Sequence, residues 1–124
     1  MDRKTARQEL TTLLDTNATL QAVYDHETKD FRRVSPIAMV HSDGTQQLDR
    51  DADGYSYALI VSLWWKRDVD GGDTEDSIDD LSEEIFTLLH TRRDLLIDSG
   101  FTSMDYPIVD GIMYRRERIR VVIL

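Results

Sequence analysis

A chain of 124 residues has room for one hydrophobic core and not for two, so a single domain over residues 1–124 is expected. Its 24 acidic side chains outnumber 15 basic ones, and the resulting net charge of -9 disfavours non-specific binding to nucleic acid or anionic lipid. The absence of cysteine excludes disulfides and thiolate metal ligands. MDRKTARQEL lacks the apolar centre of a signal peptide, and the longest nearly apolar run, Ala58 to Trp65, falls far short of the roughly 20 residues of a spanning helix.

Ala6, Leu10, Leu13 and Leu14 recur at helical spacing, which predicts an amphipathic helix from about Arg3 to Asp15 with a narrow apolar stripe suited to covering a sheet edge. Asn17 ends it. Thr19 to Tyr24 reads as a short strand with Leu20, Ala22 and Tyr24 on one face, followed by a polar excursion. Ser35-Pro36 introduces a second strand, Ile37 to His41, at a position where proline's missing amide costs least. Ser42-Asp43-Gly44 signals a turn, and a polar, acidic loop leads through Asp53-Gly54 into the next strand, so the two flanking strands should be antiparallel neighbours.

That next run, Tyr55 to Lys66, alternates throughout and reads as the central strand. Tyr55, Tyr57, Leu59, Val61, Leu63 and Trp65 form its core face. Ser56, Ala58, Ile60, Ser62 and Trp64 form the other, where Ile60 and Trp64 are large apolar exceptions that a monomer would prefer to cover and that a partner subunit could cover instead.

From Asp68 to Glu84 there are acids and no base, with a turn at Asp70-Gly71-Gly72-Asp73. Asp73 or Thr74 can cap a helix from about Glu75 to Arg93, whose stripe is Ile78, Leu81, Ile85, Leu88 and Leu89. Glu75 and Asp76 suit its positive end, and Arg92 and Arg93 its negative end. Asp98-Ser99-Gly100 breaks the pattern. Phe101 to Val109 reads as an edge or bulged strand because it carries Pro107, and Asp110-Gly111 turns it into the final strand, Ile112 to Leu124. There Ile119, Val121 and Ile123 face one way, and Arg116, Arg118 and Arg120 the other. Closing on VVIL suggests an edge that is paired or covered. The expected fold is α+β: a mixed, mainly antiparallel sheet with two amphipathic helices packed on it and a long C-terminal hairpin.

Residue patterns for chemistry are sparse. His26, His41 and His90 belong to no ligand pair, with His90 placed as a partner of helix carbonyls. There is no GxSxG, no phosphate-binding glycine loop and no nucleophile with a neighbouring base, so the reading is a non-enzyme without cofactor. Acids one turn apart, such as Asp79 and Glu83, are typical of a solvated helix face. The dense basic cluster, Arg115, Arg116, Arg118 and Arg120, admits three partners: acids of the same chain, an acidic patch on another copy, or, least favoured, DNA in a channel. With nothing local to neutralise the acidic stretch, the candidate subunit-interface residues are Ile60, Trp64, Asp70, Asp73, Arg116, Arg118 and Arg120.

The order helix, strand, polar excursion, SPIAMV, HSDG, long strand, acidic loop, helix and terminal strand resembles the tail terminator (head-tail joining) proteins of long-tailed bacteriophages over nearly the whole chain. Val23-Tyr24-Asp25 with a later Phe31, and Asp110-Gly111-Ile112-Met113-Tyr114-Arg115-Arg116-Glu117-Arg118-Ile119, are the patterns that carry it. The resemblance implies a virion protein, assembled in the host cytoplasm as a homohexameric ring, that caps the tail tube, stops its growth and joins the head connector. It implies no catalytic residue. Other neck or minor tail proteins share this architecture, and a small cellular module using acidic loops to hold a basic partner or cation is the alternative.

Asp49, Asp51, Asp53 and Gly54 (DRDADG) match the opening of an EF-hand loop, but the position of its bidentate glutamate is Ile60 and a strand follows where a helix is required. An ordinary acidic turn is therefore expected. Calorimetric titration with calcium should show no binding tighter than roughly 10⁻⁵ M, the range of calcium sensors; stoichiometric binding below that value would contradict this reading.

Overall fold

The computed structural model describes residues 3–28, 34–42, 50–51, 54–55, 57–67 and 72–123. The elements are α1 (Arg3–Leu14), β1 (Ala22–Tyr24), β2 (Ile37–Ser42), β3 (Arg50–Asp51), β4 (Gly54–Tyr55), β5 (Tyr57–Lys66), α2 (Gly72–Leu89), β6 (Leu95–Asp105), β7 (Ile108–Val109) and β8 (Ile112–Ile123). They form the expected α+β arrangement. The main sheet runs β1-β2-β5-β8-β6, with β7 paired to β8. Among the described residues β1 and β2 form the one parallel pair; the other ladders are antiparallel, including the expected β2–β5 pair.

Strand alternation divides this sheet into two unequal faces. Ala38 and Val40 of β2, Leu59, Val61 and Leu63 of β5, and Ile119, Val121 and Ile123 of β8 meet Ala6, Leu10 and Leu14 of α1 and Leu81, Ile85 and Leu89 of α2 in the main core. Both helices therefore lie on one face, and α1 reaches β1 and β2 at the sheet's edge, as its narrow stripe suggests. On the opposite face Ile37, Met39, Trp64 and Tyr114 form a smaller cluster, with Ala22, Tyr24, Val109 and Ile112 against it. Because β2 is buried on both faces, IAMV is a continuous apolar run rather than an alternating one.

Trp64 departs from the expectation of an apolar side chain left for a partner. It is only 4% exposed. In register it lies between Ile37 and Arg116. Tyr114, one diagonal step away, meets it edge to face with ring centroids 5.8 Å apart. The Arg116 guanidinium stands 5.0 Å from its ring centroid. The chain's own β8 and β2 cover this ring, whereas Ile60 remains partly exposed between His41 and Arg120.

Local chemistry moves several boundaries. The Asn17 side-chain oxygen accepts hydrogen bonds from the Thr19 and Leu20 amides at 2.9 and 3.1 Å, and this turn delays β1 until Ala22. Leu20 consequently joins the helix-side core instead of sharing a face with Ala22 and Tyr24. Helix α2 runs from Gly72 to Leu89, earlier at both ends than expected. His90 Nδ1 donates to the Phe86 carbonyl at 2.6 Å and Thr91 Oγ1 to that of Leu88 at 2.6 Å, so local donors finish the helix. Arg92 lies beyond it and bridges Glu9 of α1 to Asp94 instead of facing the helix end. Donation to Asp94 first, and then to Glu9, raises the Arg92 pKa.

Strand β6 spans the Asp98-Ser99-Gly100 break, but its pairing with β8 stops at Asp98 and resumes only at Ser103. It absorbs the irregularity as a register shift between Asp98 and Ser103, which an edge strand tolerates. The turn at Asp110-Gly111 is as expected: φ is 51° and 77°, the left-handed pair of a two-residue hairpin, and Val109 faces Ile112 across it. Within the loop between β2 and β5, Arg50–Asp51 pairs with Gly54–Tyr55. Asp49, Asp53 and Asp70, and the side chains of Asp51 and Asp73, lie outside the described residues.

Candidate interaction surfaces

The arginines of β8 are sorted by parity. Arg115 and Glu117 share the parity of Ile119, Val121 and Ile123 and so point beneath α2, while Arg116, Arg118 and Arg120 take the helix-free face. Arg115 is 4% exposed, and its guanidinium donates to Glu75 at 2.6 Å and to Asp79 at 2.8 Å. Glu117, also buried, lies 3.8 Å from Arg115 and accepts a 2.6 Å hydrogen bond from Ser82. Burial works against the charged form of Arg115, but Asp79, then Glu75 and Glu117, outweigh it and raise its pKa. Arg67 adds a second cation 3.4 Å from Glu75. The acidic stretch is thus neutralised in part within the chain, contrary to the expectation that nothing local does so.

On the helix-free face, Arg116 forks onto Asp105, its neighbour in register: Nε donates at 2.8 Å and Nη2 to the second carboxylate oxygen. This is the intrachain pairing among the partners considered for the cluster. Arg118 lies between Ser62 and Ser103, and Arg120 lies opposite Ile60. His41 Nε2 is 2.9 Å from Ser62 Oγ, and His41 Nδ1 is 3.1 Å from the Ser42 carbonyl and 3.8 Å from Glu27. A serine beside a base was not anticipated, and only the β2–β5 register reveals it. Ser62 is 1% exposed in mid-strand, so the pair satisfies two polar groups and gives a substrate no approach to the hydroxyl.

Two surfaces escaped the sequence reading. At the hairpin end, Met104, Tyr106, Ile108 and Met113 are exposed, Ile108 by 65%. Ile108 and Met113 are cross-strand partners, Tyr106 Oη is 3.6 Å from Met104 Sδ, and the Arg67 guanidinium lies 4.8 Å from the Tyr106 ring centroid. An available signal was the apolar pair bracketing Asp110-Gly111. On the helix layer, a groove of about 720 Å³ runs between the end of α1 and α2, with Ala18 and Leu88 among its walls and Asp80, Glu83 and Glu84 beside them. Glu84 accepts a hydrogen bond from Asn17. Among the described residues, none of these three acids forms an ion pair.

Among the described residues no three His, Asp or Glu side chains converge on a metal position, and no helix is long and apolar enough to cross a membrane. Neither a protein-family model nor a curated protein matches the sequence.

Two variants test these ion pairs. Arg115→Met should lower unfolding free energy by about 3 kcal/mol, the lower end of the cost of leaving one partner of a buried pair behind, read from urea midpoints. Adding Glu117→Gln should recover part of that loss. Arg116 holds the Asp105 carboxyl below its ordinary value of 3.8. The pair therefore stabilises above that value and loses its contribution as pH falls through the lowered one. Stability against pH below about 4 should fall less steeply in Arg116→Gln than in the parent; equal slopes would contradict the pairing.

Proposed function

We propose that the chain is a structural subunit of a bacteriophage tail terminator, a ring of copies that caps the tail tube, stops its growth and presents a second surface to the head connector. The observation that carries this reading is the exposed apolar hairpin end formed by Met104, Tyr106, Ile108 and Met113. Side chains of this size grouped at one end of a small domain serve contact with another protein better than they serve solvent. The opposite layer carries an acidic helical groove, so the two ends of the molecule differ in chemistry. Unlike surfaces on one molecule suit a head-to-tail contact between copies, the kind of contact that closes a ring. The resemblance of the element order and of the DGIMYRRERI segment to terminator proteins supplies the specific role, with the virion as its place of residence. Of the residues first considered for the contact, Ile60, Arg118 and Arg120 remain candidates and Trp64 does not, because its own chain buries it.

The acidic groove also favours a second reading, a small module that holds a basic partner. Mass in solution separates the two, because a module of that kind is complete as a single copy.

Removing the protein from its particle-assembly system and measuring tails by electron microscopy tests the function. Overlong tails without heads are expected; tails of normal, uniform length joined to heads would refute the proposal.

A further inference from the structure

We infer that the apolar hairpin end of one copy seats in the α1–α2 groove of a second copy, and that this heterologous contact builds the ring; the inference rests on the ring reading above. The groove gives an apolar pair two apolar walls within a lining that is otherwise polar and acidic. Ile108 and Met113 lie side by side across β7 and β8 and are 65% and 43% exposed. The groove offers Ala18 and Leu88 and, at about 720 Å³, admits side chains of that size.

The charges of the two surfaces are complementary. Exposed Lys66 forms no ion pair among the described residues, and Arg67 is held beside the apolar patch by its contact with Tyr106. Asp80, Glu83 and Glu84 edge the groove, again with no ion pair among the described residues. Bringing the surfaces together would bury apolar area and place Lys66, with Arg67 shared between Glu75 and the new contact, near the three groove carboxylates, which gives the contact orientation as well as affinity. One surface belongs to the β6–β8 end and the other to the helices, so the contact joins unlike faces. Repeated from copy to copy, such a contact closes into a ring or runs on as a filament.

Ile108→Asp alters the hairpin and Glu83→Lys the groove, both at exposed positions where the fold should persist, checked by circular dichroism. Sedimentation velocity over a concentration series should show the parent associating and each variant weakened by at least about tenfold, the loss expected at a contact centre. The decisive sample is the equimolar mixture. The hairpin variant keeps its groove and the groove variant keeps its hairpin, so the mixture should form a one-to-one dimer and nothing larger. A parent that stays monomeric at its highest soluble concentration, variants that assemble like the parent, or a mixture without dimer would each overturn the contact. Association lost in Ile108→Asp but intact in Glu83→Lys would also overturn it, giving the hairpin a different occupant. Rings that survive both variants, with overlong tails when the protein is removed, refute the contact alone; normal tails with rings lost in both variants refute the terminator role alone.

Discussion

The antiparallel ladder between β5 and β8 is the constraint on which the other features depend. It runs without interruption from Tyr57↔Ile123 to Lys66↔Tyr114. Because side chains alternate with a period of two, this one register decides which residues of β8 lie under the helices and which lie on the open face. A slip by a single residue would carry Ile119, Val121 and Ile123 out of the main core and bring Arg116, Arg118 and Arg120 beneath α2. It would also separate Trp64 from the diagonal neighbour that covers it.

The polar network under α2 belongs to the same constraint. Arg115, Glu117, Ser82, Glu75 and Asp79 join the strand to the first half of the helix at a few fixed points. Leu81, Ile85 and Leu89 supply the apolar contact, but such a stripe could shift along the sheet with modest loss, since dispersion and burial are not directional. The Ser82 bond to Glu117 has no equivalent one turn away, where Ile78 and Phe86 stand. The aliphatic contacts hold α2 to the sheet, and the ionic ones set where along the sheet it lies.

How far the fold could be read depended on whether each feature was local. The stripe of α2, the alternation of β8 and of β5 from Tyr57 onward, and the turn at Asp110-Gly111 follow from neighbouring residues and appear where expected, whereas Tyr55, expected to begin the central strand, lies in β4 and pairs with Arg50. The burial of Trp64 is not local, since it comes from Ile37, Tyr114 and Arg116 on two other strands. Likewise Asp98-Ser99-Gly100 has the composition of a turn, and the β6–β8 pairing does lapse after Asp98, but it resumes at Ser103, so the break becomes an irregularity within one strand instead of its end. Arg115 was legible in principle: its parity with Ile119 and Val121 places it on the core face, and grouping it with its arginine neighbours hid that distinction. The exposed hairpin end was local enough to be read, through the apolar pair bracketing Asp110-Gly111, whereas the helical groove was not, because it combines residues 16–18 with residues 80–91.

Strand β8 follows every other described element in the chain but occupies an interior place in the sheet, between β5 and β6. Its partners on β5 lie between 48 (Lys66↔Tyr114) and 66 (Tyr57↔Ile123) residues earlier, so closing this ladder means closing long loops before most of the core can form. During synthesis, β2, β5 and both helices emerge first with Leu59, Val61 and Ile85 lacking the surface that buries them. Until residues 112–123 arrive, β5 presents an open apolar edge, and a product truncated before that point would keep this edge for good, open to pairing with another chain.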